Sequence, residues 1–111
     1  MDIREEVLGR EHPDTAISLD NLGGLLRELN DLPGARTCYD RALAIREEVC
    51  GPNHPDTART LNNLGSLLQA QGDLGRARAY YERAVGILDR SLGEDHPSTL
   101  HVRANLQSVG N

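Results

Sequence analysis

Apolar residues recur along the chain at helical spacing, in two kinds of stripe that alternate. The first stripe consists of Ala16, Leu19, Leu22, Leu25, Leu26 and Leu29, and its later copy of Ala58, Leu61, Leu64, Leu67 and Leu68. The second consists of Leu32, Ala35, Tyr39, Ala42, Ile45 and Val49, and its copy of Leu74, Ala77, Tyr81, Ala84, Ile87 and Ser91, with Leu88 and Leu92 alongside. Steps of three and four residues place a stripe on one face of an α-helix. The pattern predicts an all-α chain in which a helix A and a helix B alternate.

The stripes belong to an internal repeat with a period of 42 residues. The tetrapeptide His-Pro-Asp-Thr begins at residue 12 and again at residue 54, and His-Pro-Ser-Thr begins at residue 96. When residues 12–53 are laid over residues 54–95, twenty of the 42 positions are identical. A fixed period of this length predicts modular units stacked in a line rather than one compact core.

Residues that end and begin helices stand between the stripes. Residues that tolerate a positive φ follow the helices, namely Gly9, Gly51 and Gly93 after helix B and Asn30 and Gly72 after helix A. Asp31 and Asp73 are predicted to cap the N-terminus of helix B, with Pro33 in its first turn. For helix A two starts are open: Asp14, Asp56 and Ser98 as caps, or a cap one or two residues earlier with Pro13 and Pro55 as first helical residues.

Small residues predict how the two helices pack. Gly23 and Gly65 lie in helix A, and alanines at 35, 42, 77 and 84 lie in helix B. They allow two antiparallel helices to approach closely, so each unit is a helical hairpin. The expected architecture is a right-handed α-α superhelix of hairpins that contact their nearest neighbours.

The motif residues resemble a known family. The sequence Leu-Asn-Asn-Leu-Gly at 61–65, Gln-Gly-Asp at 71–73, and then Ala77, Tyr81 and Ala84 are similar to a tetratricopeptide repeat. The 42-residue period with a Gly-x-x-His-Pro-Asp-Thr linker resembles the longer type found in kinesin light chains and in bacterial proteins where such arrays follow a nucleotide-binding switch domain. The resemblance implies a protein-interaction scaffold whose A helices line a concave groove for a peptide or a partner helix.

The resemblance also implies which residues line this groove. In the first repeat they are Ile17, Asp20, Gly24, Arg27 and Glu28; in the second Arg59, Asn62, Ser66, Gln69 and Ala70; in the partial third His101, Ala104 and Ser108. Most of these lie off the apolar stripes, and an alternative is that they are only solvated helix surface. The subclass that clamps a terminal carboxylate with Lys and Asn is disfavoured, since Gly24 and Ser66 replace the Asn and Lys is absent. Arginines favour a mildly acidic or polar peptide.

Composition narrows the partners and the compartment. The 111 residues carry a net charge of −5, all 12 basic residues are Arg, and Phe and Trp are absent. Neither a polybasic patch nor an aromatic stacking platform can be built, so nucleic acid is not an expected partner. No apolar run approaches the roughly 20 residues of a membrane span. Two cysteines and a charged N-terminal segment indicate a reducing, cytoplasmic setting.

No catalytic, metal or cofactor site is predicted. His12, His54 and His96 stand a full repeat apart, too far to share a metal ion, so we expect them to be structural residues of the inter-repeat turns. Cys38 and Cys50 are separated by about 18 Å along one helix, which excludes a disulfide within it. Cys50 aligns with Leu92 and is expected in the core, whereas Cys38 is expected to be partly exposed.

The alignment divides the chain into four parts. They are the end of a preceding helix B at 1–11, repeats at 12–53 and 54–95, and helix A of a partial or capping repeat at 96–111. Met1 aligns with Leu43, in the middle of a helix B, so we expect a piece of a longer array, and the resemblance suggests a switch ATPase upstream. An apolar end with Ile3, Val7 and Leu8 leaves a second function open, self-assembly by end-to-end stacking of repeats.

Overall fold

The computed structural model describes residues 13–109, which form an all-α array of five helices. They are α1 (Pro13–Glu28), α2 (Leu32–Val49), α3 (Pro55–Ala70), α4 (Leu74–Leu92) and α5 (Pro97–Val109). The pairs α1–α2 and α3–α4 form hairpins, α2 packs on α3, and α4 packs on α5. This order confirms the predicted α-α superhelix of alternating A and B helices. The segment predicted as the end of a preceding helix B, 1–11, lies outside the described residues.

The ends of the helices follow the predicted backbone chemistry. Asp31 and Asp73 cap the two B helices, because their carboxylates accept the backbone N–H of Gly34 at 3.0 Å and of Arg76 at 3.2 Å. Among the described residues that were expected to turn the chain, Asn30, Gly51, Gly72 and Gly93 all have a positive φ, between 66° and 98°.

The start of helix A corresponds to the second of the two placements. Helix α3 begins at Pro55, and its cap is His54, whose Nδ1 accepts the backbone N–H of Asp56 at 3.0 Å. Nδ1 of His96 accepts the N–H of Ser98 in the same way at 3.1 Å. In both turns, histidine therefore has the N-cap role that Asp, Asn or Ser usually has. This agrees with the structural role expected for these two residues.

Helix α3 shows how a central helix A is buried on both sides. Leu64 and Leu67 pack against Ala35 and Tyr39 of the preceding helix α2, and both leucines are fully buried. Two further leucines on its other side, Leu61 and Leu68, pack into the core with α4. The leucines of α3 are therefore buried as completely at the joint between repeats as they are inside the hairpin.

Helix α1 has the same apolar stripe but buries only part of it. Leu22 and Leu25, which correspond to Leu64 and Leu67, are 39% and 52% exposed, and Leu29 is 69% exposed. Among the described residues, these three leucines of the stripe are not covered. The reason is that no helix B among residues 13–109 lies on that side of α1.

In both described hairpins, a glycine in helix A touches a tyrosine ring in helix B. A Cβ built on Gly65 would lie 2.7 Å from Cδ1 and Cε1 of Tyr81, and one on Gly23 would lie 2.6 Å from Cε1 of Tyr39. These distances are shorter than carbon atoms allow, so the predicted close approach of the hairpin helices requires glycine here. The buried tyrosines fill the space that a side chain would take.

Replacing Gly65 by alanine is expected to lower the free energy of unfolding by about 1–3 kcal/mol, because the methyl group overlaps the Tyr81 ring. The matched control is Gly75→Ala in α4, where an added Cβ meets nothing within 4 Å. Alanine favours helix there, so this change is expected to raise stability by up to about 1 kcal/mol. Urea denaturation followed by circular dichroism measures both. Equal effects of the two substitutions would contradict the packing explanation.

Candidate partner-binding groove

Two pockets lie along the surface formed by α1, α3 and α5, which we call the helix-A surface. The first pocket, of about 400 Å³, lies between α1 and α3 and is lined by residues that include Asn21, Gly24, Glu28 and Arg59. The second, of about 500 Å³, lies between α3 and α5 beside the end of α4. Its lining joins polar groups to an apolar wall and comprises Pro55, Asp56, Arg59, Asn62, Leu88, Leu92, Pro97, Ser98, His101 and Val102.

Arg59 borders both pockets and is the exposed cation between them. Within residues 13–109 its guanidinium makes neither a hydrogen bond nor an ion pair, and its side chain is exposed. An arginine presents five N–H donors in a planar fork that suits carboxylates and other oxygen acceptors. The helix-A surface thus offers a guanidinium to a ligand in either pocket.

Other predicted groove residues are hydrogen-bonded to one another across neighbouring A helices. Arg27 Nη1 donates to Ser66 Oγ at 2.5 Å, and Gln69 Nε2 donates to Ser108 Oγ at 3.1 Å. Each donor and each acceptor stands 42 residues after its counterpart, so the two contacts are the same rung in successive repeats. We call them the side-chain rungs. They tie α1 to α3 and α3 to α5.

The second rung is held from below by a tyrosine. Tyr81 Oη donates to Gln69 Oε1 at 2.9 Å, which orients the amide so that its Nε2 points to Ser108. Burial raises the pKa of the Tyr81 hydroxyl above 10.0, so the hydroxyl remains a donor at neutral pH. A further contact, Asn105 Nδ2 donating to Asn62 Oδ1 at 3.0 Å, joins the same two helices.

Asp20 differs from its predicted position in an open groove. It borders the first pocket, but only 8% of it is exposed. Its Oδ2 accepts a hydrogen bond from Arg46 Nη2 at 3.1 Å and from Thr60 Oγ1 at 3.1 Å. The carboxylate is therefore occupied within the chain, where it links both helices of the first repeat to α3. Burial raises the pKa of Asp20 above 3.8, and the charge of Arg46 offsets part of that effect.

The corresponding place in the next joint is filled differently. Asp20, Arg46 and Thr60 correspond to Asn62, Leu88 and Val102, of which Leu88 and Val102 are buried in the apolar core. Sequence reasoning overlooked Arg46, although a signal was present: all three positions change together between the two repeats. An arginine whose equivalent in the next repeat is a leucine of the core is itself expected to be buried. A buried charge needs a partner of opposite charge nearby, so Arg46 predicts a partner in the same joint.

The remaining predicted residues lie on the surface in different settings. Ile17 is 46% exposed and borders neither pocket, Glu28 is exposed beside the first, and His101 is exposed beside the second. The expectation for the cysteines is reversed, since Cys38 is buried and Cys50 is half-buried. Cys50 follows the last residue of α2 and lies in the turn, whereas Cys38 packs with Ala16 and Ile45.

Antiparallel helical hairpins that stack through their helix faces define an α-solenoid. The family model described as tetratricopeptide repeat matches residues 1–47, 31–90 and 62–106, so that the matches together span nearly the whole chain. The chain belongs to the tetratricopeptide repeat family, a non-catalytic scaffold fold whose members generally mediate protein–protein interactions. Among the five described helices, none is both long enough and apolar enough to cross a membrane.

Solved structures share the fold over most of the chain. One, from Podosopora anserina and described as nearly identical TPR-like repeats of a kinesin light chain, has a TM-score of 0.88 and 24% identity, covering 96% of this chain and 51% of that one. BtubC (BKLC) from P. vanneervenii has a TM-score of 0.81 and 25% identity, covering 88% of this chain and 39% of that one. The chain thus spans about half the length of these structures or less. No curated protein matches the sequence.

Copying the residues of the second joint into the first tests how much Asp20 and Arg46 contribute to the free energy of unfolding. The triple variant Asp20→Asn, Arg46→Leu, Thr60→Val copies the second joint, and we expect it to be as stable as the wild type or up to about 4 kcal/mol more stable. Arg46 Nε has no hydrogen-bond partner among the described residues, which adds to the cost of burying this charge.

The single substitution Arg46→Leu is the control for the exchange. It leaves the Asp20 carboxylate buried without its cation, and we expect it to lower the free energy of unfolding by about 3–5 kcal/mol. Urea denaturation compares the two variants. If the triple variant lost as much unfolding free energy as Arg46→Leu, the residues of the second joint would not be able to replace the ion pair of the first.

Proposed function

We propose that the chain is a protein-interaction scaffold that binds a peptide or a partner helix along the helix-A surface. The observation that carries the proposal is the exposed guanidinium of Arg59 between two pockets, together with neighbours that the side-chain rungs already hold in place. A surface ordered before binding loses less side-chain entropy when a ligand arrives. The family's general role in protein–protein interaction supports this assignment.

The chemistry of the surface favours a polar or mildly acidic segment. Arg59 supplies the cation, and Asn62 and His101 supply polar groups beside the second pocket. Every basic residue of the chain is an arginine, so any electrostatic contact with a partner uses guanidinium groups. These groups bind carboxylates through two parallel hydrogen bonds, which gives orientation as well as affinity.

A displayed library of random peptides, panned against the whole chain, tests the assignment without a known partner. For the selected peptides, Arg59→Ala is expected to weaken binding at least tenfold, about 1.4 kcal/mol, because arginines at the centre of an interface carry much of the binding energy. The matched control is Arg78→Ala, which removes the same charge from α4 at a residue that lines neither pocket and pairs with Glu82.

Isothermal titration gives the two affinities, and circular dichroism confirms that both variants fold. The control is expected to bind within about twofold of the wild type, since it leaves the groove untouched. Equal weakening by both variants, or none by Arg59→Ala, would remove the helix-A surface as the binding site.

A second candidate function is self-association through the apolar face of α1. Leu22 and Leu25 occupy the positions at which Leu64 and Leu67 are covered by α2, yet they are largely exposed. Contiguous exposed leucines of this kind mark an interaction surface. A second copy of the chain is one occupant that would remove them from water.

Sedimentation equilibrium over a wide concentration range measures this association. The wild type is expected to show a mass that rises with concentration, and Leu25→Gln is expected to abolish the rise because it places an amide in the apolar face. Leu74→Gln is the control, since Leu74 is also half-exposed but lies at the start of α4. A monomer at all concentrations would refute self-association.

A further inference from the structure

The turn between α2 and α3 brings three metal-ligating side chains together. The Cys50 thiol, the His54 imidazole and the Asp56 carboxylate each have one ligand atom within 4.8 Å of the other two. Thiolate, imidazole and carboxylate are the three kinds of protein ligand that zinc uses. Cys50 is half-buried and the other two are exposed, so a metal ion can reach them from solvent.

We propose that this turn is a zinc-binding site formed by Cys50, His54 and Asp56. Three protein ligands leave the fourth tetrahedral position for water. No metal site was expected from the sequence, because successive histidines stand a full repeat apart and cannot share an ion. A site within a single turn does not meet that objection, and the placement of Cys50 in the turn rather than in the core makes it possible.

The backbone of the turn places the ligands close together before any metal arrives. Gly51 has a φ of 98°, which lets the chain reverse immediately after Cys50. The Thr57 hydroxyl donates to the Gly51 carbonyl at 2.7 Å and so ties the start of α3 to the turn. A site held in this way loses little conformational freedom when it binds an ion.

The equivalent turn between α4 and α5 shows that the ligands are not needed to build this backbone. It keeps the glycine, Gly93, and the capping histidine, His96, with the same cap contact to residue 98. In place of the cysteine and the aspartate it has Leu92 and Ser98. The complete ligand set is therefore an addition to a turn that forms without it.

The contacts that His54 and Asp56 already make determine how tightly we expect zinc to bind. His54 Nδ1 accepts the N–H of Asp56, and Asp56 Oδ2 lies 3.8 Å from that nitrogen and 3.6 Å from Arg46 Nη1. Coordination through Nδ1 replaces the cap hydrogen bond, and the positive charge of Arg46 opposes the cation. Arg46 has a closer ion pair with Asp20, at 3.1 Å, so its charge does not depend on Asp56 for a partner. We therefore expect weaker binding than at a closed site of four protein ligands.

Binding has a defined proton balance. As the zinc–sulfur bond forms, the Cys50 thiol gives its proton to the buffer, while the neutral imidazole and the carboxylate each donate a lone pair. Metal binding consequently releases protons and weakens as the pH falls. Because thiolate is a soft ligand, magnesium is not expected to compete.

Cobalt(II), a spectroscopic substitute for zinc, tests the site in the whole reduced chain. We expect one equivalent to produce a thiolate-to-cobalt charge-transfer band, zinc to remove the band by displacement, and excess magnesium to leave it unchanged. Absence of the band in the wild type, or its removal by magnesium, would overturn the proposal. Zinc affinity itself is measured by isothermal titration.

Substitutions copied from the equivalent turn provide variants that the fold already accommodates. Cys50→Leu is expected to abolish the band. Asp56→Ser is expected to weaken zinc binding at least about tenfold, because loss of a residue that only supports a ligand already weakens metal binding by about that factor. Cys38→Ala removes the other thiol and is expected to retain the band. A band that persists in Cys50→Leu, or zinc affinity unchanged by Asp56→Ser, would refute the site. Circular dichroism verifies the helices of each variant.

Discussion

The structure depends on the apolar surface that each helix B presents to the helix A of the next repeat. Leu64 and Leu67 of α3 are fully buried because Ala35 and Tyr39 of α2 cover them. Within residues 13–109 no helix B covers the equivalent leucines of α1, and they are exposed. A hairpin alone therefore cannot bury both sides of its helix A, and the stability of the array is a sum over hairpins and the joints between them.

The two joints are not chemically equal. The first contains a buried ion pair between Asp20 and Arg46 with a threonine hydroxyl on the carboxylate, and the second has the apolar Leu88 and Val102 in place of the arginine and the threonine. A buried ion pair is weak evidence for stability, since desolvation offsets its attraction, but it penalises any register that separates the charges. The first joint thus has a buried charge pair in its interior, whereas the ion pair of the second joint, Arg103 with Asp89, is only partly buried.

Sequence periodicity predicted the helices, their caps and the glycine contacts, because these depend on residues close in sequence and repeated in register. It could not show that Leu22 and Leu25 are exposed while their counterparts Leu64 and Leu67 are buried, since equivalent positions share a pattern but not an environment. The side-chain rungs were also missed. Arg27 and Ser66 meet only because the fold sets two A helices side by side, and no local rule specifies that spacing. The hydrogen-bond partners of Asp20 were overlooked for the same reason, as they lie on α2 and α3.

The rungs have a mechanical consequence. Each rung joins two neighbouring A helices at the helix-A surface, while apolar residues join the same hairpins in the core. The spacing between successive A helices is therefore held from two sides, by polar contacts at the surface and by apolar packing behind them.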